Sequence, residues 1–304
     1  MASFSTHHPR QEQEQEPGEF VFYHYDPSLA AACIFIALFS ISALLHLWQI
    51  TKLRSWYFVP FFIGCGFEIV GYIGRALSAT ETPDWTTRSF TIQSLTLLLG
   101  PALLAASIYM VLGRLIRLLE AEHLSPINPK WLTKLFVLGD VLSFLTQGAG
   151  GAILAQAKSL SDSKLGENVI IAGLAIQIAF FGVFIVVICL IHYRILATPT
   201  NHCHSTNIPW QNFIWILYAA SVLIMIRSVF RVAEYVMGSD GALLASEVYL
   251  YVFDAALMFA VAVMFNVFHP GKIIQREDKS MPLSDNDTAV GLHSLNARPS
   301  ISPA

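Results

Sequence analysis

Eight ionisable side chains stand where charge is most expensive, inside long apolar stretches of a 304-residue chain. They are Glu68 and Arg75, then Asp140, then Arg227, Arg231 and Glu234, and finally Glu247 and Asp254. A charged group in hydrocarbon is retained only when it is paired or put to use. The spacing groups them. Glu68, Tyr72 and Arg75 stand at i, i+4 and i+7, which is one face of a helix. Arg227, Arg231 and Glu234 repeat that spacing, as do Glu247, Tyr251 and Asp254. Three polar stripes of this kind turn inward in a helical bundle. Five acids against three arginines leave a formal excess of two negative charges, a setting that favours a cation. The chemistry expected is recognition of a cationic head group. Glu68, Tyr72, Asp140, Glu247, Tyr251 and Asp254 are the candidate binding residues, and Arg75, Arg227, Arg231 and Glu234 form a structural ion-pair network. Such pairs also clamp helices, and losing one partner of a buried pair costs about 3–5 kcal/mol.

The elements that must position these groups follow from hydropathy. The chain is 55% hydrophobic and only 13% charged, against roughly 25% charged in a soluble domain. A helix needs about 20 apolar residues to cross roughly 30 Å of hydrocarbon. Seven stretches meet that length, at about 28–50, 56–77, 90–113, 132–155, 168–192, 212–236 and 246–268. The fold class is therefore all-α: a polytopic membrane protein built as a seven-transmembrane-helix bundle. Residues 1–27 form a polar acidic tail with the run QEQEQE, 28–268 the transmembrane domain, and 269–304 a Ser-, Pro- and Asn-rich tail expected to be disordered. No cleavable signal peptide is expected, so helix 1 serves as the targeting signal.

Loop charge sets the orientation. Lys52, Arg54, Arg114, Arg117, Lys130, Lys134, Arg194, Lys272, Arg276, Lys279 and Arg298 fall on one side, against Arg10, Arg88, Lys158 and Lys164 on the other. The N-terminus is expected outside and the C-terminus in the cytosol. Trp48, Trp56, Trp131 and Trp210 all lie near the cytosolic helix ends. The sequon Asn286-Asp287-Thr288 then faces the cytosol and stays unglycosylated. A structural disulfide is not expected, since Cys33, Cys65 and Cys189 lie in spans and Cys203 in a cytosolic loop.

Other features are packing devices. Gly100-Pro101 should kink the third helix. Gly148, Gly150 and Gly151 favour close contact of the fourth. Gln147 and Gln177 are uncharged glue, and His46 is a hydrogen-bonded interface histidine. His202-Cys203-His204 makes a poor zinc site, three neighbours in one loop, so no metal is expected. Neither a Walker sequence nor HExxH nor GxSxG is present, which argues against nucleotide hydrolysis and peptidase chemistry. No catalytic residue, cofactor or nucleic-acid partner is expected; the partners are membrane lipids and an amphipathic small molecule.

The segments FEIVGYIGR (67–75), GDVLSF (139–144), RSVFRVAEY (227–235) and YVFDA (251–255) resemble the fungal lipid-translocating exporters, also called the resistance-to-aminocholesterol family. The likeness runs from about 25 to 271. It implies seven-helix plasma-membrane proteins, associated with drug resistance, that move sphingoid long-chain bases, amino-sterols or porphyrin. The alternative reading is a seven-helix receptor-like lipid sensor.

Overall fold

The computed structural model describes residues 27–82, 86–157, 159–198, 210–237 and 246–272. The terminal tails, the His202-Cys203-His204 segment and the sequon lie outside the described residues. Seven helices are long and apolar enough to cross a membrane, and no strand occurs among the described residues. They are α1 (Leu29–Lys52), α2 (Val59–Thr80), α3 (Thr87–Leu118), α4 (Pro129–Ala155), α5 (Leu160–Ala197), α6 (Trp210–Met237) and α7 (Glu247–Val267). The protein is an integral, multi-pass membrane protein.

Local chemistry sets the helix ends. Ser28 caps α1 by accepting from the Ala31 amide at 3.3 Å, and Asn128 caps α4 through the Lys130 amide at 3.0 Å. Pro60 and Pro129 occupy first-turn positions, where the missing N–H costs nothing. The α1–α2 and α3–α4 turns share one geometry. After α1, the Ser55 amide donates back to Ile50 and that of Arg54 to Thr51. After α3, Ala121 donates to Ile116 and Glu120 to Arg117. These are Schellman closures. Their left-handed positions are filled by Arg54 (φ 49°) and Glu120 (φ 50°) rather than glycine. Between α2 and α3, the Glu81 carboxylate accepts from the Thr86 amide, the Thr86 hydroxyl and the Ser89 hydroxyl at 2.8–3.0 Å. Those donors hold its carboxyl below the usual range.

Each helix packs on the next in sequence, α7 returns to α1, and α3 also meets α6. The result is a closed bundle around α3, whose Leu104, Ile108 and Tyr109 are wholly buried. The outer faces present Leu44, Leu145, Val186 and Val222, as a lipid-facing surface requires. Helix ends alternate, so residues 28, 80, 160 and 247 lie at one end of the bundle (the Ser28 end) and residues 52, 118, 197 and 267 at the other (the Lys52 end).

All seven expected spans appear, most with bounds shifted by a few residues. The fifth grows most, from 168–192 to Leu160–Ala197. At about 1.5 Å per residue its 38 residues reach roughly 57 Å, well past the hydrocarbon. Ser159 caps its polar first turn by accepting from the Asp162 amide, and no proline separates that turn from the apolar run. Trp48, Trp56 and Trp131 are exposed at the Lys52 end. Trp210 is instead buried, with its ring against His192.

Glycine does not act where spacing alone would put it. On α4, Gly148 and Gly151 face open space, whereas a Cβ on Gly150 would lie 2.8 Å from the Gly166 carbonyl of α5. The α4–α5 contact therefore rests on Gly150 and Gly166. Ser143 donates to the Gly173 carbonyl at 2.7 Å, and Gln147 donates to Ser143 at 2.5 Å and to Gln177 at 3.4 Å.

Candidate functional site: a sealed charge cluster

The charged stripes meet at the Ser28 half of the bundle in two layers. In the outer layer, Glu247 of α7 accepts from the Ser28 amide at 2.9 and 3.0 Å. It also accepts from Arg75 of α2, from Nη2 at 2.7 Å and from Nε at 3.1 Å. Arg75 Nε donates to the Tyr251 hydroxyl at 3.1 Å, and its guanidinium lies over the Tyr251 ring at 5.3 Å. One carboxylate thus ties the start of α1 to α2 and α7.

Below it lies an aromatic layer. Phe35 stacks on Tyr72 at 5.5 Å and on Tyr251 at 5.3 Å, and Phe39 stacks on Tyr72 at 5.9 Å. The Tyr72 hydroxyl is buried with no hydrogen-bond partner.

The inner layer joins α2, α3, α6 and α7. Arg227 Nε bonds Asp254 Oδ1, and Arg227 Nη2 donates to the Leu97 carbonyl at 2.6 Å. That carbonyl is available for a covalent reason. Residue 101 is proline, so the N–H that would close the helical bond to Leu97 is missing. Arg227 supplies the donor in its place. Asp254 lies within a π-helical segment, Tyr251–Ala256, a geometry that recurs at functional sites.

Glu68 completes the layer. It lies in the electrostatic field of Asp254 and Arg227. It is 0% exposed, and neither of its carboxyl oxygens has a hydrogen-bond partner. It fits against α3 because residue 100 is glycine: a Cβ there would lie 2.7 Å from Glu68 Oε1. Asp254 Oδ2 is likewise buried without a partner. Two carboxylates and one guanidinium give this layer a formal charge of −1.

Glu68, Tyr72, Arg75, Arg227, Glu247, Tyr251 and Asp254 are thus brought together. Arg231 and Glu234 pair within α6 at 2.6 Å. Beside them is Tyr235, whose ring lies under Arg231 at 5.7 Å and in the field of Glu167 of α5. Asp140 stands apart on α4, next to the Tyr109 hydroxyl but without a well-aligned hydrogen bond to it. Around Tyr109 stand Phe136, Phe181 and Phe184. Glu68, Arg75 and Asp254 are 0% exposed and Arg227 1%, so in this conformation the cluster is closed. Apolar packing by Phe35 and Phe39 above, and by α3 behind, seals it.

The Ser28 amide and the Leu97 carbonyl are main-chain partners that a search for charged side chains does not find. Pro101, four residues after Leu97, was the available signal for the second. Two of the packing expectations hold: the His46 ring bonds the Ala262 carbonyl across the α1–α7 contact at 3.1 Å, and Gln147 meets Gln177.

Comparison with known proteins places this architecture. Residues 61–277 match the family model described as "RTA1 like protein". The chain is similar to Protoporphyrin uptake protein 1 of Saccharomyces cerevisiae, 36% identical over 286 residues, covering 82% of this chain and 91% of the relative. It is similar to Protein RTA1 of the same yeast, 36% identical over 276 residues, with coverages of 83% and 85%. A more distant yeast relative is the Sphingoid long-chain base transporter RSB1, 26% identical over 290 residues, with coverages of 85% and 75%. No solved structure matches. The chain belongs to the RTA1-like family, the fungal lipid-translocating exporters that its intramembrane motifs resemble.

Proposed function

We propose that the protein translocates amphipathic, lipid-like molecules of the sphingoid long-chain base or amino-sterol type and so confers resistance to toxic amphiphiles. The carrying observation is Glu68: a wholly buried carboxylate with both oxygens unpartnered, beside a half-partnered Asp254. Burying a charge without compensation is costly, and an ammonium head group is the complement this pair lacks. In this reading Glu68, Asp254 and Tyr72 receive the head group, Glu247 and Tyr251 form its approach, and Arg75 and Arg227 hold the walls. Asp140 is a separate candidate site, and Arg231 with Glu234 is structural. The substrate's tail remains against apolar helix faces. Relatives named as transporters of sphingoid bases or lipids support transport over the receptor reading and over enzymatic chemistry. The site lies in the Ser28 half of the bundle, which loop charge assigns to the outer side of the membrane. With no nucleotide motif in the chain, a gradient, a proton or simple equilibration drives the movement.

The test is flux in vesicles containing the purified full chain, comparing a fluorescent sphingoid base with a zwitterionic lipid bearing the same label. The cationic probe moves faster, and Glu68→Gln or Asp254→Asn slows it by about tenfold, the equivalent of ~1.4 kcal/mol. Equal rates for both probes, with both variants at wild-type flux, refute the acidic head-group site.

A further inference from the structure

A second set of unpartnered polar atoms lies at the opposite end of α7, on the same α1-facing side. On α1, Ser42, His46 and Gln49 stand at i, i+4 and i+7. Each reaches α7: His46 Nε2 bonds the Ala262 carbonyl at 3.1 Å, Gln49 Nε2 donates to the Asn266 carbonyl at 2.7 Å, and Ser42 Oγ accepts from Asn266 Nδ2 at 2.6 Å. These bonds fix what remains. A carbonyl only accepts, so His46 Nε2 carries the hydrogen and the neutral ring presents Nδ1 as a lone pair. Gln49 and Asn266 each use one N–H in these bonds and present their oxygens. His269 Nδ1 accepts from the Gly271 amide at 3.1 Å, so its Nε2–H is the free donor. His46 Nδ1, Gln49 Oε1, Asn266 Oδ1 and His269 Nε2 are all buried and without partners, as is the Ser55 hydroxyl nearby. His46 is 0% exposed and His269 1%.

This set is uncharged and rich in acceptors. The two imidazoles lie 6.2 Å apart by ring centroids, with the Phe58 ring 5.7 Å from one and 5.0 Å from the other. It is distinct from the acidic cluster, which α7 also lines. Asp254 and His269 are fifteen residues apart, roughly 22 Å along a helix. Between them α7 carries buried Met258 and Phe265 and packs its rings against Phe39 of α1 and Phe61 of α2. Two polar stations separated by an apolar stretch match an amphiphile whose head must be held at each end of its passage.

We infer that His46, Gln49, Asn266 and His269 form a second head-group site, at the Lys52 end of the α1–α7 contact, for the hydroxyl and amine donors of an amphiphile. This rests on the translocator reading and adds to it the other terminus of the route. The site has no carboxylate, so it recognises hydrogen-bond donors rather than charge. An amino-diol head satisfies three acceptors there and accepts from His269 in return. The acidic cluster holds the head as a cation; this site receives it as a donor set and releases it more readily.

The experiment uses the full chain in phosphatidylcholine vesicles and a long-chain base carrying a diazirine on the tail carbon nearest its amino-diol head. After illumination, adducts are mapped by mass spectrometry. Adducts are expected in two groups, around Asp254 and around Asn266. Gln49→Leu combined with Asn266→Leu is expected to lower the second group about tenfold, the weight of one or two lost hydrogen bonds, and to leave the first intact. Wild-type labelling is read independently of whether that variant folds. Adducts confined to the Asp254 group mean that the orphaned acceptors hold only water; this overturns the second site and leaves the translocator reading standing. Adducts near Asn266 that survive Glu68→Gln, together with equal flux of cationic and zwitterionic probes, support the second site and sink the acidic one. Labelling in neither region overturns both.

Discussion

The bundle solves one problem in two ways. On the α4–α5 side, helices approach through Gly150 and Gly166 and are joined by Ser143, Gln147 and Gln177, none of them charged. On the α2–α6–α7 side, the contacts are guanidinium to carboxylate, and one carboxylate, Glu68, gains no bond from the arrangement. Small residues and neutral hydrogen bonds suffice to hold membrane helices together. The charges on the second side therefore exceed what packing asks for. A buried ion pair is weak evidence for stability, and an unpartnered buried carboxylate is evidence against it.

The difference can be broken most forcefully at Arg227. Arg227→Met strands Asp254 and the Leu97 carbonyl together, and a cost of about 3–5 kcal/mol is expected, read as a fall in melting temperature in detergent. Arg227→Met with Asp254→Leu should recover most of that loss while flux of the cationic probe stays slowed. A single variant as stable as wild type would show that the charged side is not clamped there at all. The glycine side is next. Gly150→Leu drives a side chain into the Gly166 carbonyl and should cost about 1–3 kcal/mol, whereas Gly148→Ala and Gly151→Ala, which face open space, should melt as wild type does.

A pH scan sharpens the contrast further. Burial first, and Lys272 second, lower the His269 pKa from 6.5 to about 4. The unfolded chain thus takes up a proton between those values while the folded chain does not. Stability should be full above pH 6.5 and fall as pH drops towards about 4, and His269→Gln should flatten that slope. His46 and Lys272 face the same region and must be kept in place. The smallest effect is expected at the turn after α3. Glu120→Gly relieves a left-handed position and should add about 1 kcal/mol without altering flux.

Much of the fold was legible because hydropathy writes membrane helices directly into the chain; all seven spans followed from length and composition. Helix ends were less so. Capped by Ser159, α5 starts at Leu160, eight residues before the apolar run expected at 168, since a capped polar turn continues a helix outside hydrocarbon at little cost. Within the site, i, i+4, i+7 spacing found the residues of α2 and α7 that meet. It could not say that Arg227 crosses to α7 while Arg231, four residues on, turns to Glu234 of its own helix. Nor could it separate Asp140, because a lone acid on α4 reads alike whether it faces α2 or Tyr109. Main-chain partners were invisible to a search over side chains.

The proline of α3 has a consequence beyond its own helix. By withholding one N–H at residue 101, it leaves the Leu97 carbonyl to accept from Arg227, 130 positions away. Pro101→Ala would give that carbonyl a helical N–H of its own, which competes with the arginine for it. The two positions are therefore a compensating pair, and among relatives they are expected to be kept or lost together.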